Sequence, residues 1–230
     1  MLNVRSATAY AVPLQLEKTL WEHVSHRLQG FTYEELSTST LYLDTAQIDI
    51  YRGVRNDLEP KGTRKQLRVR TYASGAGPTH FFEFKWRDGG ISHKRREKLA
   101  RDLTTSIQDR DFRPADSLLA TFWDELLRQT LIPRLIVRYR RRALQSATQR
   151  VTLDTSIEYS MPGDPSTVVH STVAVLELKT SLGQAPPTDV LEDFIDQMGS
   201  PISKCAEGLQ IFYSDVINDR KASTDSKVTP

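Results

Sequence analysis

The chain is nearly devoid of cysteine. Cys205 is the only thiol in 230 residues, which excludes an internal disulfide framework and makes a reducing compartment, the cytoplasm, the expected one. No apolar run approaches the length of a membrane span, and the N-terminus lacks the apolar core of a signal peptide. Membrane association is therefore expected only through a membrane-protein partner. There is no Gly-rich phosphate loop, because Gly75-Ala76-Gly77 is followed by neither a lysine nor a helix. His23, His26, His80, His93 and His170 are scattered without metal-ligand spacing. Aromatic residues make up only 8% of the chain, so the stacking platforms of single-strand-binding barrels are sparse and nucleic acid is not the expected partner.

Acid is also missing where base is dense. The net charge of +2 hides a segregated distribution: twelve Lys or Arg face three Asp or Glu between Lys61 and Arg101, and six Arg with no acid lie between Arg134 and Arg150. Such segregation implies a local positive field rather than general basicity.

The basic residues fall in short runs that alternate with apolar ones: Gln66-Leu67-Arg68-Val69-Arg70, Phe82-Glu83-Phe84-Lys85, Val137-Arg138-Tyr139-Arg140-Arg141 and Val175-Leu176-Glu177-Leu178-Lys179. A strand sends successive side chains to opposite faces, so each run lines one surface with charge and presses the other into a core. The length suits one large domain, expected over residues 1–214, with residues 215–230 read as a disordered tail for want of apolar periodicity. The pattern predicts helices over Pro13–Gln29, Asp116–Gln129, Pro187–Met198 and Ser203–Tyr213. Strands are predicted at Ser39–Asp44, Lys65–Tyr72, His80–Arg87, Ile91–Leu99, Leu135–Leu144, Arg150–Tyr159 and Thr172–Thr180, with a hairpin through Ser74 to Pro78. The fold class is α+β, an antiparallel β tunnel or barrel with flanking helices over its apolar outer face.

Electrostatics then constrains the interior. Two unit charges about 4 Å apart interact by roughly 4 kcal/mol at an effective dielectric near 20, and each desolvated unpaired ion adds several kcal/mol. A dry cluster of Arg68, Arg70, Lys85, Lys94, Arg141, Arg150 and Lys204 among Glu83, Asp154 and Glu177 alone is untenable, so the hollow is expected to be wet or to hold anions. Phosphate suits it, since Arg forks bind phosphate oxygens bidentately and Lys supplies compact charge. Pro201-Ile202-Ser203-Lys204 reads as a helix entry, which would place Lys204 at a helix N-terminus.

The ordered series Leu41-Tyr42-Leu43-Asp44-Thr45, Leu67 to Tyr72, Phe82-Glu83-Phe84-Lys85, Lys94-Arg95-Arg96, Arg138 to Ala143, Arg150 to Thr155, Leu176-Glu177-Leu178-Lys179 and Ser203-Lys204 resembles the VTC domain over about Arg5 to Tyr213. That is the polyphosphate polymerase domain of the vacuolar transporter chaperone complex, within the CYTH-like, triphosphate tunnel metalloenzyme superfamily. The resemblance implies a tunnel that binds ATP and polyphosphate, and a metal-dependent transferase, using Mn²⁺ or Mg²⁺, that moves the γ-phosphate of ATP onto the chain. It implies phosphate binding by Arg5, Arg68, Arg70, Lys85, Lys94, Tyr139, Arg141, Arg150, Ser203 and Lys204, catalytic roles for Lys204, Arg70 and Arg141, and metal binding by Glu177. One departure stands out: in Val4 to Tyr10, Ala9 occupies the place where a lysine is expected, with no acid nearby. This weighs against metal binding by the first strand and against a generic triphosphatase, and it makes a non-catalytic polyphosphate- or nucleotide-binding module the main alternative; triphosphate hydrolysis within the same fold is the enzymatic runner-up.

Overall fold

A computed structural model describes residues 5–48, 64–74, 77–88, 91–99, 114–116, 119–120, 124, 131–181, 184, 187–200 and 202–225. Its strands are β1 (Arg5–Pro13), β2 (Thr32–Asp44), β3 (Arg64–Ser74), β4 (Gly77–Asp88), β5 (Ile91–Leu99), β6 (Ile132–Gln145), β7 (Gln149–Met161), β8 (Asp164–His170) and β9 (Val173–Ser181); its long helices are α1 (Glu17–Arg27) and α2 (Lys204–Asp225). All nine strands form one antiparallel sheet in the order β1-β9-β7-β6-β2-β3-β4-β5, with β8 paired to β7 off that path. The end strands β1 and β5 come within 8 Å between Cα atoms, so the sheet curls round on itself, but no ladder joins them among the described residues.

The alternation sorts the side chains as expected. Val12, Val151, Leu153, Leu176 and Leu178 pack outward against Leu20, Trp21 and Val24 of α1 and against Val190, Leu191 and Phe194. Leu41, Leu67, Val69, Phe82 and Phe84 form a second outer cluster with Leu119. A third apolar cluster lies on the inner face: Tyr42, Val137, Tyr139, Ile157, Tyr159 and Val175 receive Cys205, Leu209 and Ile217 of α2. One end of the interior is thus filled by a helix and the other carries charge. A bulge lets β7 serve both ends: Arg138 to Arg140 of β6 opposes Glu158 to Thr155 of β7, one residue longer, with Ser156 at φ 50°. Asp154 and Ile157, which simple alternation places on opposite faces, therefore both point inward.

Four expectations change. Pro13 closes β1, and a 3-10 turn (Leu14–Leu16) precedes α1, so the first helix begins later than its proline suggests. Gly30, at φ 93°, reverses the chain after it. Residues 187–198 form two 3-10 turns, Thr188–Leu191 and Ile195–Gln197, instead of a third α-helix. The backbone leaves helical geometry at Phe194, whose ring meets His23 edge-on, and Gly199 bridges to Ala11 of β1, so contact with the sheet overrides helical periodicity. Strand β8 was not anticipated. Finally, the chain stays helical past residue 214: α2 kinks at Tyr213 (φ −132°) and continues to Asp225, burying Ile217. The kink shifts the helical phase, which is why the apolar spacing fades there in the sequence. Most of the helix expected over Asp116–Gln129 lies outside the described residues, although Asp116 caps it by accepting the Leu119 N–H at 3.0 Å.

Candidate functional site

On β3, Gln66, Arg68, Arg70 and Tyr72 share the inner face, and register sets Arg68 opposite both Tyr42 and Glu83. Glu83 is fully buried and organises the first cationic cluster. Its Oε2 accepts Arg68 Nε at 2.8 Å and Nη2 at 2.7 Å, with Arg70 Nη1 at 3.8 Å; its Oε1 faces Lys94 Nζ at 3.4 Å. Burial raises the Glu83 carboxyl pKa, but Arg68, Arg70 and Lys94 together outweigh it and hold the group well below the usual carboxylate range. Burial dominates Lys94 and lowers its ammonium pKa despite Glu83. Arg70 turns aside to donate from Nε to Thr40 Oγ1 at 3.1 Å and from Nη1 to Tyr72 OH at 3.5 Å. Lys85 lies opposite Gln66 and Lys94 on the same wall.

Asp154 organises the second cluster. Arg141 grips it through two bonds, Nε to Oδ1 at 2.6 Å and Nη2 to Oδ2 at 2.7 Å, while Lys204 Nζ lies 2.6 Å from Oδ2. Both cations stand 5.2 Å from the Tyr139 ring centroid. Burial raises the Asp154 pKa, yet Arg141 and Lys204 bring it down to about 2. Lys204 opens α2, whose first turn is capped by Ser203 Oγ, which accepts the Ala206 N–H at 3.4 Å. Three contacts seat that helix. Tyr159 OH donates to Glu207 Oε2 at 2.7 Å, Ser171 Oγ donates to Glu207 Oε1 at 3.2 Å, and Gly208 lies flush against Leu135 and Tyr159.

Glu177 is half-buried and bonded to Lys179 Nζ at 2.9 Å; its cross-strand neighbours are Ala9 on β1 and Thr152 on β7. Burial raises its pKa, but Lys179, then Arg141, depress it well below the ordinary value. Glu83, Asp154 and Glu177 thus face six cations: three on Glu83, two on Asp154 and one on Glu177. Around these three carboxylates cations are in excess, while buried Asp44 accepts the Thr45 N–H and Glu207 accepts the Tyr159 and Ser171 hydroxyls. The clusters also share one wall: Arg70 donates to Tyr72, Thr38 stands opposite both Tyr72 and Tyr139, and Arg141 and Lys204 lie over the Tyr139 ring.

Of the residues singled out in the sequence, Arg68, Arg70, Lys85, Lys94, Tyr139, Arg141, Glu177 and Lys204 come together on this surface. Arg150 shares the inner face but sits at the far end of β7, where Nη2 lies 3.2 Å from Glu34 Oε2. Ser203 is there as the cap of α2. Arg5 pairs with Ser181 in β1, and its side chain lies outside the described residues, as does Pro201. Sequence reasoning missed Thr38, Thr40, Tyr72 and Thr152, inner-face hydroxyls whose only signal was alternation at i, i+2 with Tyr42, Arg70 and Asp154. It also named Lys179 only as part of a motif.

A family model described as the VTC domain matches residues 4–213. The chain belongs to the VTC domain family. Among solved structures, this VTC domain is similar to a putative adenylate cyclase from Bacillus halodurans, at 14% identity and a TM-score of 0.61 over 92% of this chain and 98% of that one. It is also similar to a putative adenylyl cyclase from Hippeastrum, described as having a dominant triphosphatase activity, at 16% identity and a TM-score of 0.48 over 89% and 94%. No curated protein matches the chain. The likeness to the Bacillus protein is one of fold: an antiparallel sheet curled into a tunnel-like wall, with α1 on its apolar outer face as expected and α2, against expectation, packed on the inner face.

Proposed function

We propose that this VTC domain binds the triphosphate of ATP in its tunnel and transfers the γ-phosphoryl group to the end of a polyphosphate chain. The observation that carries the reading is the surplus of buried cations converging on one hollow, which anionic oxygens would balance. Family membership supports the same chemistry. A terminal oxygen of the chain would attack the γ-phosphorus as its bond to the β–γ bridging oxygen breaks and ADP leaves. Such transfer requires alignment and charge stabilisation rather than a covalent nucleophile. Arg70 and Arg141 are held in fixed orientations by Thr40 and Asp154 and would fork onto phosphate oxygens. Lys204, at the mouth of α2, would place a compact charge on the transferred group. Arg68, Lys85, Lys94, Tyr139, Arg150, Arg5 and Ser203 would line the path of the remaining phosphates.

The donor set suits Mg²⁺ or Mn²⁺ carried in with the phosphates. No group of three or more His, Cys, Asp or Glu able to hold a metal exists among the described residues, but such ions are commonly held by one or two carboxylates plus substrate oxygens. Of Glu83, Asp154 and Glu177, Glu177 is the one in direct ion-pair contact with a single cation, Lys179, and would hold the ion. Bound there, it would neutralise phosphate charge during transfer. No helix among the described residues is long and apolar enough to cross a membrane. Separately, the single thiol in the chain favours a reducing compartment, and the proposed location is the cytoplasm, with a membrane-protein partner as the route to a bilayer.

Ala9, opposite Glu177, favours a second reading, a module that binds polyphosphate or nucleotide without turnover. Incubating the purified protein with ATP and Mn²⁺ separates them. Gel-resolved long chains that disappear in Lys204→Ala and Arg141→Ala support the transferase. Orthophosphate as the sole product makes it a triphosphatase, and binding with no product leaves the module.

A further inference from the structure

Thr38 lies midway along the tunnel wall, directly opposite Tyr72 on β3 and Tyr139 on β6. Three hydroxyl-bearing side chains therefore form a row across β3, β2 and β6. The Tyr72 hydroxyl accepts Arg70 Nη1, but the hydroxyls of Thr38 and Tyr139 are buried and have no hydrogen-bond partner among the described residues. Their residues are only 3% and 4% exposed. Buried hydroxyls in such a polar neighbourhood ordinarily find partners, because leaving one unmade is costly. Thr40, two residues on and on the same face, shows the usual outcome by accepting Arg70 Nε.

The position of the row gives it meaning. Its Tyr72 end adjoins Arg70 and the Glu83 cluster, and its Tyr139 end lies beneath Arg141 and Lys204 of the Asp154 cluster. Thr38 therefore stands between the two clusters on the wall. Neutral O–H donors there would bond an anionic oxygen without adding charge, so they would reward a phosphoryl group at that point in space rather than total negative charge.

We infer that Thr38 is a neutral station between the two cationic clusters that reads ligand length, working beside Tyr139 of the phosphate path to take the middle phosphoryl group of a tripolyphosphate chain. This rests on the phosphate-binding reading above. Titration calorimetry of the full chain with orthophosphate, pyrophosphate and tripolyphosphate tests it. Thr38→Val, which removes the hydroxyl and keeps the shape, should weaken tripolyphosphate about tenfold or more while changing the two shorter ligands by less than about twofold. Thr38→Ser should restore binding. Tyr139→Phe, which keeps the ring under Arg141 and Lys204, should show the same length-selective loss. Unchanged tripolyphosphate affinity in Thr38→Val, or an equal loss for all three ligands, overturns the station. A wild-type chain that binds none of the three overturns the tunnel reading itself.

Discussion

Asp154 holds two cations on two oxygens, and its titration reports how strongly. The carboxyl sits at about 2 against an ordinary 3.8 because Arg141 and Lys204 outweigh the effect of burial. A depressed acid stabilises the fold fully above its unfolded value and loses that stabilisation as pH falls through the folded one, here between about pH 4 and about pH 2. The shift corresponds to about 2 kcal/mol. Asp154→Asn should destabilise the protein at neutral pH by about 3–5 kcal/mol, since it strips a buried pair of one partner. The gap to wild type, measured by urea unfolding, should shrink as the pH drops from 4 to 2. A gap that stays constant across that range would show that Asp154 does not carry the ionic load assigned to it. At this scale the sequence was informative about which groups are charged, and it named Glu83, Asp154 and Glu177 among the cations. It could not pair them. Arg68 with Glu83 and Arg141 with Asp154 are cross-strand neighbours whose register depends on the turns that join their strands.

At the scale of elements, α2 is the piece that places Lys204. The helix enters the inner face because its glycine lets it approach: a Cβ built on Gly208 would lie 2.7 Å from carbons of Leu135 and Tyr159. Gly208→Ala should therefore push the helix outward, cost about 1–3 kcal/mol through overpacking, and lower phosphate affinity by displacing Lys204 four residues upstream. Thermal melting together with ATP titration checks both effects, and a variant as stable as wild type would mean that the helix has room to shift. The strand runs were legible because alternation at a period of two is a local property. The acidic stretch after Pro187 was not, since docking of Phe194 and the Gly199 bridge to Ala11 are long-range contacts. The end of α2 was misread for a related reason, because the kink at Tyr213 breaks the helical period while Ile217 stays buried.

For the whole molecule, a tunnel with more cations than carboxylates should bind its ligand more weakly as ions screen it. ATP affinity measured at about 0.05 M and about 0.5 M salt should fall steeply, since the screening length shortens from beyond 10 Å to under 5 Å. Flat affinity across that range would mean that the charges are satisfied internally and that the ligand sits elsewhere. The outer face presents no comparable demand, because α1 and the apolar clusters cover it.

Composition and alternation alone decided that strands would carry charge on one face and apolar groups on the other, because side-chain direction along a strand is set by backbone geometry within a few residues. That already determined the fold class and the chemistry of the wall. Only the tertiary structure decided that β1 and β5 would approach each other, that a bulge at Ser156 would turn Asp154 and Ile157 to the same side, and that α2 would fill one end while Thr38 and Tyr139 faced each other. Those outcomes depend on register and closure, which couple residues far apart in the chain and leave no local periodic trace.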